Sequence, residues 1–304
     1  MNLEGLHHVT AITGDAPRNV DFYSRVLGLR MVKKTVNFDD PDVYHLYFGD
    51  EIGTPGSILT FFEFPGAARG RAGDGTIHTI QWRVRDEAAL DFWAQRLDGA
   101  VREEGLVHFD DPEGLTHEFR PTGSARVCPA VDVPDAPLVA PHPDIPDGYA
   151  LRGFHGVRAY ASDPARSAQL LEALGFAGEG ADWRATGAKR SGHLTYDAPP
   201  AERAIPGAGT VHHVAWSAAD DAELEAFSGR ARDGGARPTP IIDRQYFHSV
   251  YFREPSGVLF ELASRDIGFA VDEPRETLGE ALKLPPQYEH LRSQLEQTLT
   301  PLGV

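Results

Sequence analysis

Four short stretches of this chain open alike. Gly5-Leu6-His7-His8-Val9-Thr10 and Val211-His212-His213-Val214-Ala215 are close copies, and Thr76-Ile77-His78-Thr79-Ile80 and Gly153-Phe154-His155-Gly156-Val157 are weaker ones. Each sets histidine among apolar and β-branched residues, the composition of a strand. A unit repeated through a chain decides the architecture, because one unit cannot bury its own open face and must stack on another.

The material after each opening repeats too. Val20, Tyr23, Val26 and Leu27 form a helical stripe closed by Gly28, and strands follow over Tyr44-His45-Leu46-Tyr47-Phe48 and Ser57-Ile58-Leu59-Thr60-Phe61-Phe62. Further helices are expected over 87–97, 164–174 and 221–231, each followed by strand patterns. The spacing therefore predicts an α+β fold of four βαβββ modules, joined in pairs as two incomplete β-barrels, each with a central cup. Residues 1–125 hold two modules. A proline-rich linker spans 126–149, since such a run cannot continue a helix or a central strand. Residues 150–304 hold two more modules and a tail, helical over 287–299, which is assigned to packing or to contact within a homo-oligomer.

A net charge of −16 argues against nucleic acid or an anionic membrane as a partner. No segment has the roughly 18 apolar residues of a membrane span. The single cysteine, Cys128, permits no intrachain disulfide and no thiolate cluster, which suits a reducing cytoplasm. No secretory signal is visible at the start, and a cytoplasmic protein is expected.

Aligned on their openings, the modules carry His7, His78, His155 and His212 at one position and His8, Thr79, Gly156 and His213 at the next. Neighbouring residues of a strand face opposite ways, so one member of each pair faces the cup. Histidine in all four modules points to a shared structural role. Histidine in two modules points to one site assembled from that pair. Alignment of the last strands on their opening glycines puts Glu261, Glu118, Thr60 and Tyr196 in matching places. Glu261 lies in an apolar run, where a carboxylate must be paired or bind a metal. His8, His213 and Glu261 are the favoured metal ligands. The alternatives are a rim carboxylate beside a basic residue or, in the opposite register, a second site from His78, His155 and Glu118. Two histidines and a carboxylate suit non-haem Fe(II) with open positions, and Mn(II) or Zn(II) would accept the same donors.

The module plan, with Tyr44-His45-Leu46-Tyr47-Phe48-Gly49-Asp50-Glu51-Ile52-Gly53-Thr54-Pro55-Gly56, Arg152-Gly153-Phe154-His155 and Gly257-Val258-Leu259-Phe260-Glu261, resembles the vicinal oxygen chelate superfamily. That superfamily includes glyoxalase I, extradiol dioxygenases and fosfomycin-resistance proteins. Within it, the resemblance is to hydroquinone 1,2-dioxygenase-type ring-cleaving enzymes. It implies Fe(II) on His8, His213 and Glu261, between the first and fourth modules. It also implies supporting roles for His7, Thr10, His212, Arg244 and Tyr251, with a small aromatic substrate and O₂ as partners. Arg244 would offset a phenolate charge and Tyr251 would donate a hydrogen bond or act as acid or base. His7 and His212 would need a bulge to take part, and Tyr251 shares the face of Glu261 only for one parity of its hairpin loop. A surface ion pair and a core tyrosine are the plainer readings of Arg244 and Tyr251. A metal-dependent isomerase or thiol transferase, which the resemblance gives carboxylates in both metal-bearing modules, and a metal-free aromatic-binding module are the competing functions.

Overall fold

The protein is described from a computed structural model that covers residues 1–122 and 136–303. Cys128 and part of the linker lie outside the described residues. Residues 136–149 carry only an isolated His142–Ile145 bridge.

Each module is a strand, a helix and three further strands. The first holds β1 (Leu6–Thr13), α1 (Ala16–Val20), β2 (Arg30–Asn37), β3 (Asp40–Gly49) and β4 (Ile58–Glu63). The second holds β5 (Ile77–Val84), α2 (Glu87–Arg96), β6 (Val101–Glu103), β7 (Leu106–Asp110) and β8 (Thr116–Pro121). The third holds β9 (Phe154–Tyr160), α3 (Ala168–Ala173), β10 (Ala177–Glu179), β11 (Asp182–Thr186) and β12 (Ser191–Asp197). The fourth holds β13 (Val211–Ala218), α4 (Asp221–Asp233), β14 (Ile242–Asp243), β15 (His248–Arg253) and β16 (Leu259–Ser264). The α+β fold of four βαβββ modules expected from the repeats is thus the fold observed.

Two of the helices are less regular than their stripes suggest. A π-helical stretch, Asp21–Val26, continues α1 and turns Tyr23 into the core, and a 3₁₀ turn, Pro164–Ser167, leads into α3. Asp86 and Asp220 cap α2 and α4 by accepting from Ala89 N–H and Glu223 N–H.

The strands form two eight-stranded sheets, β14-β15-β16-β13-β1-β4-β3-β2 and β10-β11-β12-β9-β5-β8-β7-β6. Each sheet takes one module from either side of the linker: the first pairs with the fourth, the second with the third. The joints are antiparallel, β1 with β13 and β5 with β9. Both joints are irregular in the same places. Leu6 opposes Trp216 while His8 opposes Ala215, so His7 is an extra residue; Thr10 opposes His213 while Ala11 opposes Val211, so His212 is another. Register shifts at His78 and His155 repeat this in the other sheet. The histidine common to all four modules is therefore the bulged residue of each opening strand, and a bulge re-aims side chains.

The register also corrects one alignment. Thr10 opposes Thr60, Gln81 opposes Glu118 and Ala215 opposes Glu261, but Arg158 opposes Thr195, so Thr195 rather than Tyr196 holds the matching place in the third module.

The tail packs on the chain's own first module. Buried Lys33 pairs with Asp272 and Glu273, Lys283 N–H donates to Lys34, and the Tyr288 hydroxyl donates to the Phe38 carbonyl. The expected tail helix is split into a 3₁₀ stretch, Pro286–Leu291, and α5 (Arg292–Thr298). Among the described residues, no helix is long and apolar enough to cross a membrane.

Candidate metal centre

His8 on β1, His213 on β13 and Glu261 on β16 meet where the first and fourth modules join. His8 Nε2 lies 3.2 Å from both His213 Nε2 and Glu261 Oε2, and His213 Nε2 lies 2.9 Å from Glu261 Oε2. These are the edges of a triangle that a cation with ligands at about 2.1 Å spans, roughly 3 Å per edge. All three residues are buried, and Glu261 Oε2 has no hydrogen-bond partner. Burial raises the Glu261 carboxyl, but His8 and His213 outweigh it and hold the group well below the usual carboxylate range. Its other oxygen accepts from the Ser249 hydroxyl.

The bulges supply the support. His7 Nε2 lies 3.0 Å from the Ser264 carbonyl and must donate to it. Burial, then the neighbouring His8, lowers the His7 pKa to about 3, so its ring is neutral and its Nδ1 bears no proton. His7 Nδ1, 2.9 Å from His8 Nδ1, therefore accepts from it. His8 thereby turns Nε2, the nitrogen away from that contact, towards Glu261 and His213. The second pair has the same contact, with His212 Nδ1 2.7 Å from His213 Nδ1. Burial lowers the pKa of His212 to about 4 and that of His213 as well. Two imidazole nitrogens and a carboxylate oxygen without a hydrogen-bond partner converge in a dry corner, where a cation can take all three as ligands. The residues thus fit a divalent metal, and the donor set does not choose among Fe(II), Mn(II) and Zn(II).

Above the triangle lies a cavity of about 530 Å³, lined on one side by Arg244, Tyr251 and Phe247 and on the other by His45, Tyr47 and Phe62. Tyr251 opposes Glu261 directly in the β15–β16 ladder and shares its face. Burial, then the Glu261 charge, raises its phenol well above the usual value, so it stays O–H. Arg244 Nε donates to the Tyr251 hydroxyl at 3.3 Å, and its guanidinium pairs with Asp39. Phe247 packs on His7 and His8, its ring 5.1 and 5.0 Å from theirs. Thr10 opposes His213 in the β1–β13 ladder, and its hydroxyl is 2.9 Å from that of Thr60.

The sequence pattern passed over His45, Tyr47 and Ser249. The signal was present, since period two puts His45 and Tyr47 on one face of β3, but nothing marked that face as the cup side.

The other sheet has no matching triangle among the described residues. His78 bonds Asp197 and stacks on Tyr160, His155 stacks on His193, and Glu118 accepts from Gln81 and pairs with Arg120. The second grouping of His78, His155 and Glu118 is not assembled. Each of the three is committed to a different neighbour.

Paired βαβββ modules around a cup, with donors for a cation at their seam, define the vicinal oxygen chelate class of fold. The chain belongs to the Glyoxalase/Bleomycin resistance protein/Dioxygenase superfamily, whose sequence model matches residues 5–119 and 153–262. It is 41% identical over 316 residues to the "Putative ring-cleaving dioxygenase MhqO" of Bacillus subtilis, covering 99% of this chain and 97% of the relative. It is 33% identical over 323 residues to the chlorohydroquinone/hydroquinone 1,2-dioxygenase of Sphingobium indicum, covering 98% and 96%. A crystal structure of a Bacillus subtilis "putative dioxygenase" superposes with a TM-score of 0.86 at 40% identity, covering 99% of this chain and 97% of that one. Glyoxalase I from Zea mays shares the fold at a TM-score of 0.55 and 17% identity, over 86% and 92% of the two chains.

Proposed function

We propose that this protein is an Fe(II)-dependent ring-cleaving dioxygenase acting on a hydroquinone-like or other dihydroxylated aromatic, with His8, His213 and Glu261 as the metal ligands. The observation that carries the reading is the buried triangle of His8 Nε2, His213 Nε2 and Glu261 Oε2 opening into an aromatic-lined cavity. Full-length similarity to ring-cleaving relatives supports it. A bound Fe(II) would supply a Lewis acid for a substrate oxygen and a site for O₂.

The chain's own groups do the rest. His7 and His212 fix the rings of the ligand histidines through their Nδ1 contacts. Arg244, always charged, faces the cavity and offsets a phenolate. Tyr251, held protonated, donates to an oxygen lying between it and Glu261. Phe247, Phe62 and Phe64 keep the cavity apolar, which strengthens each of these interactions. The isomerase reading finds no support at Thr60, which holds the place that its second carboxylate would need and instead bonds Thr10 and His45.

The test is anaerobic purification with metal analysis, followed by O₂ uptake on panels of hydroquinones and catechols. One iron per chain and uptake abolished in His213→Ala are expected. Neither iron nor uptake after Fe(II) reconstitution would overturn the reading.

A further inference from the structure

The two walls of the cavity are related by the internal repeat. In the fourth module Tyr251 opposes Glu261, and Ser249, two residues before Tyr251, bonds that carboxylate. In the first module Tyr47 opposes Thr60, and His45, two residues before Tyr47, bonds that hydroxyl. Tyr47 is therefore the counterpart of Tyr251, and both line the same cavity. Their partners differ in charge. Tyr251 is backed by the Arg244 guanidinium and Tyr47 by the His45 imidazole, with His45 Nδ1 2.8 Å from the Tyr47 hydroxyl.

The row on the first wall runs Tyr47–His45–Thr60–Thr10, with contacts of 2.8, 2.8 and 2.9 Å. Burial keeps His45 neutral and Tyr47 protonated. A neutral imidazole has one N–H and one lone pair, and every neighbour in the row is a hydroxyl that both donates and accepts. The row has two self-consistent proton arrangements. In one, Tyr47 donates to His45 and its oxygen lone pairs are free. In the other, His45 donates to Tyr47, whose O–H is free to point into the cavity. The wall thus offers either an acceptor or a donor at the Tyr47 oxygen without carrying charge.

We propose that Tyr47 and His45 form a second oxygen-recognition point, which binds the hydroxyl of an aromatic diol that is not held beside Arg244 and Tyr251. Tyr47 touches the substrate and His45 positions it. The inference rests on the dihydroxylated-aromatic reading above. It makes the pseudo-twofold cavity a match for two oxygens in different charge states, with an anionic one against the cationic wall and a neutral one against the neutral wall.

The test uses the full chain loaded with Zn(II), which holds ligand without turnover, and measures binding of hydroquinone, catechol and their mono-methyl ethers. Wild type should bind the preferred diol about 10-fold more tightly than its ether, the worth of one hydrogen bond at a buried site. Tyr47→Phe should narrow that ratio by weakening the diol, which can both donate and accept, more than the ether, which can only accept, and His45→Gln should restore part of what His45→Ala removes. In the Fe(II) enzyme, the same variants should raise KM for the diol more than they lower kcat. A diol-to-ether ratio equal in wild type and Tyr47→Phe overturns the inference and leaves the dioxygenase reading standing. Wild type that binds and oxidises none of the diols removes that reading and the inference with it.

Discussion

The most exacting position in the chain is Glu261, a carboxylate with 0% exposure in an apolar strand. It holds one oxygen on Ser249 and turns the other towards the Nε2 atoms of His8 and His213. Glu261→Gln keeps the shape and removes the anion, so metal binding should fall by orders of magnitude while the fold survives; unchanged metal content by elemental analysis would refute its role. His7 acts one step further out, through His8. Loss of such an outer partner typically costs about 10–100-fold in metal affinity, so His7→Ala should weaken metal by that factor in a chelator competition. An unchanged affinity would make His7 a packing residue. His8, His213 and Glu261 were legible as a set because only two modules repeat the second histidine. Tyr47 and His45 were not, because they become cavity residues only once β3 is laid against β4.

At the scale of elements, the sequence exposed the repeat, the helix stripes and the glycine stops, because each depends on local periodicity. It did not expose the register. A bulge costs one residue of pairing and leaves no mark in hydropathy, so the reason for histidine at all four openings became visible only in the ladders between modules. The tail was equally opaque. Its anchor is the ion pair of fully buried Lys33 with Asp272 and Glu273, which joins residues 239 and 240 positions apart in the chain. Removing one partner of such a pair leaves a buried charge uncompensated, at a cost of about 3–5 kcal/mol, whereas replacing both sides by apolar groups is often neutral. Lys33→Met, which leaves two carboxylates without their shared cation, should therefore destabilise strongly in urea melts. Lys33→Met combined with Asp272→Asn and Glu273→Met should recover most of the loss, and equal losses in both variants would show that packing, not charge, holds the tail.

Across the whole molecule, buried polar contacts as well as apolar packing tie the two sheets. His117 sits at the clearest of them: Trp82 donates to its Nδ1 at 3.1 Å, its Nε2 donates to the Tyr23 oxygen at 3.0 Å, and the Tyr23 hydroxyl donates to Asp111 at 2.8 Å. One buried row thus connects α1's π-helical extension with β5 and β8. Burial lowers the His117 pKa from 6.5 to about 3, and burial, then nearby arginines, lowers that of His193 to about 3. Between these limits the unfolded chain binds a proton that the folded chain refuses. The stability each group contributes is present above about pH 6.5 and is lost as pH falls, by roughly 1.4 kcal/mol per pH unit per histidine. Unfolding free energy should therefore drop steeply from pH 6.5 towards 4. The net charge of −16 works in the opposite sense, since acid relieves its repulsion, so the slope of wild type alone does not isolate the effect. His117→Gln does. Its amide oxygen can accept from Trp82, its NH₂ can donate to Tyr23, and it does not titrate. Urea melts of both metal-free proteins at pH 7, 6 and 5 should give curves that converge as pH falls, the variant losing about 1 kcal/mol less per pH unit than wild type. Parallel curves would mean that His117 takes up its proton in the folded state, and that the row through Tyr23 and Asp111 is not what makes this fold acid-sensitive.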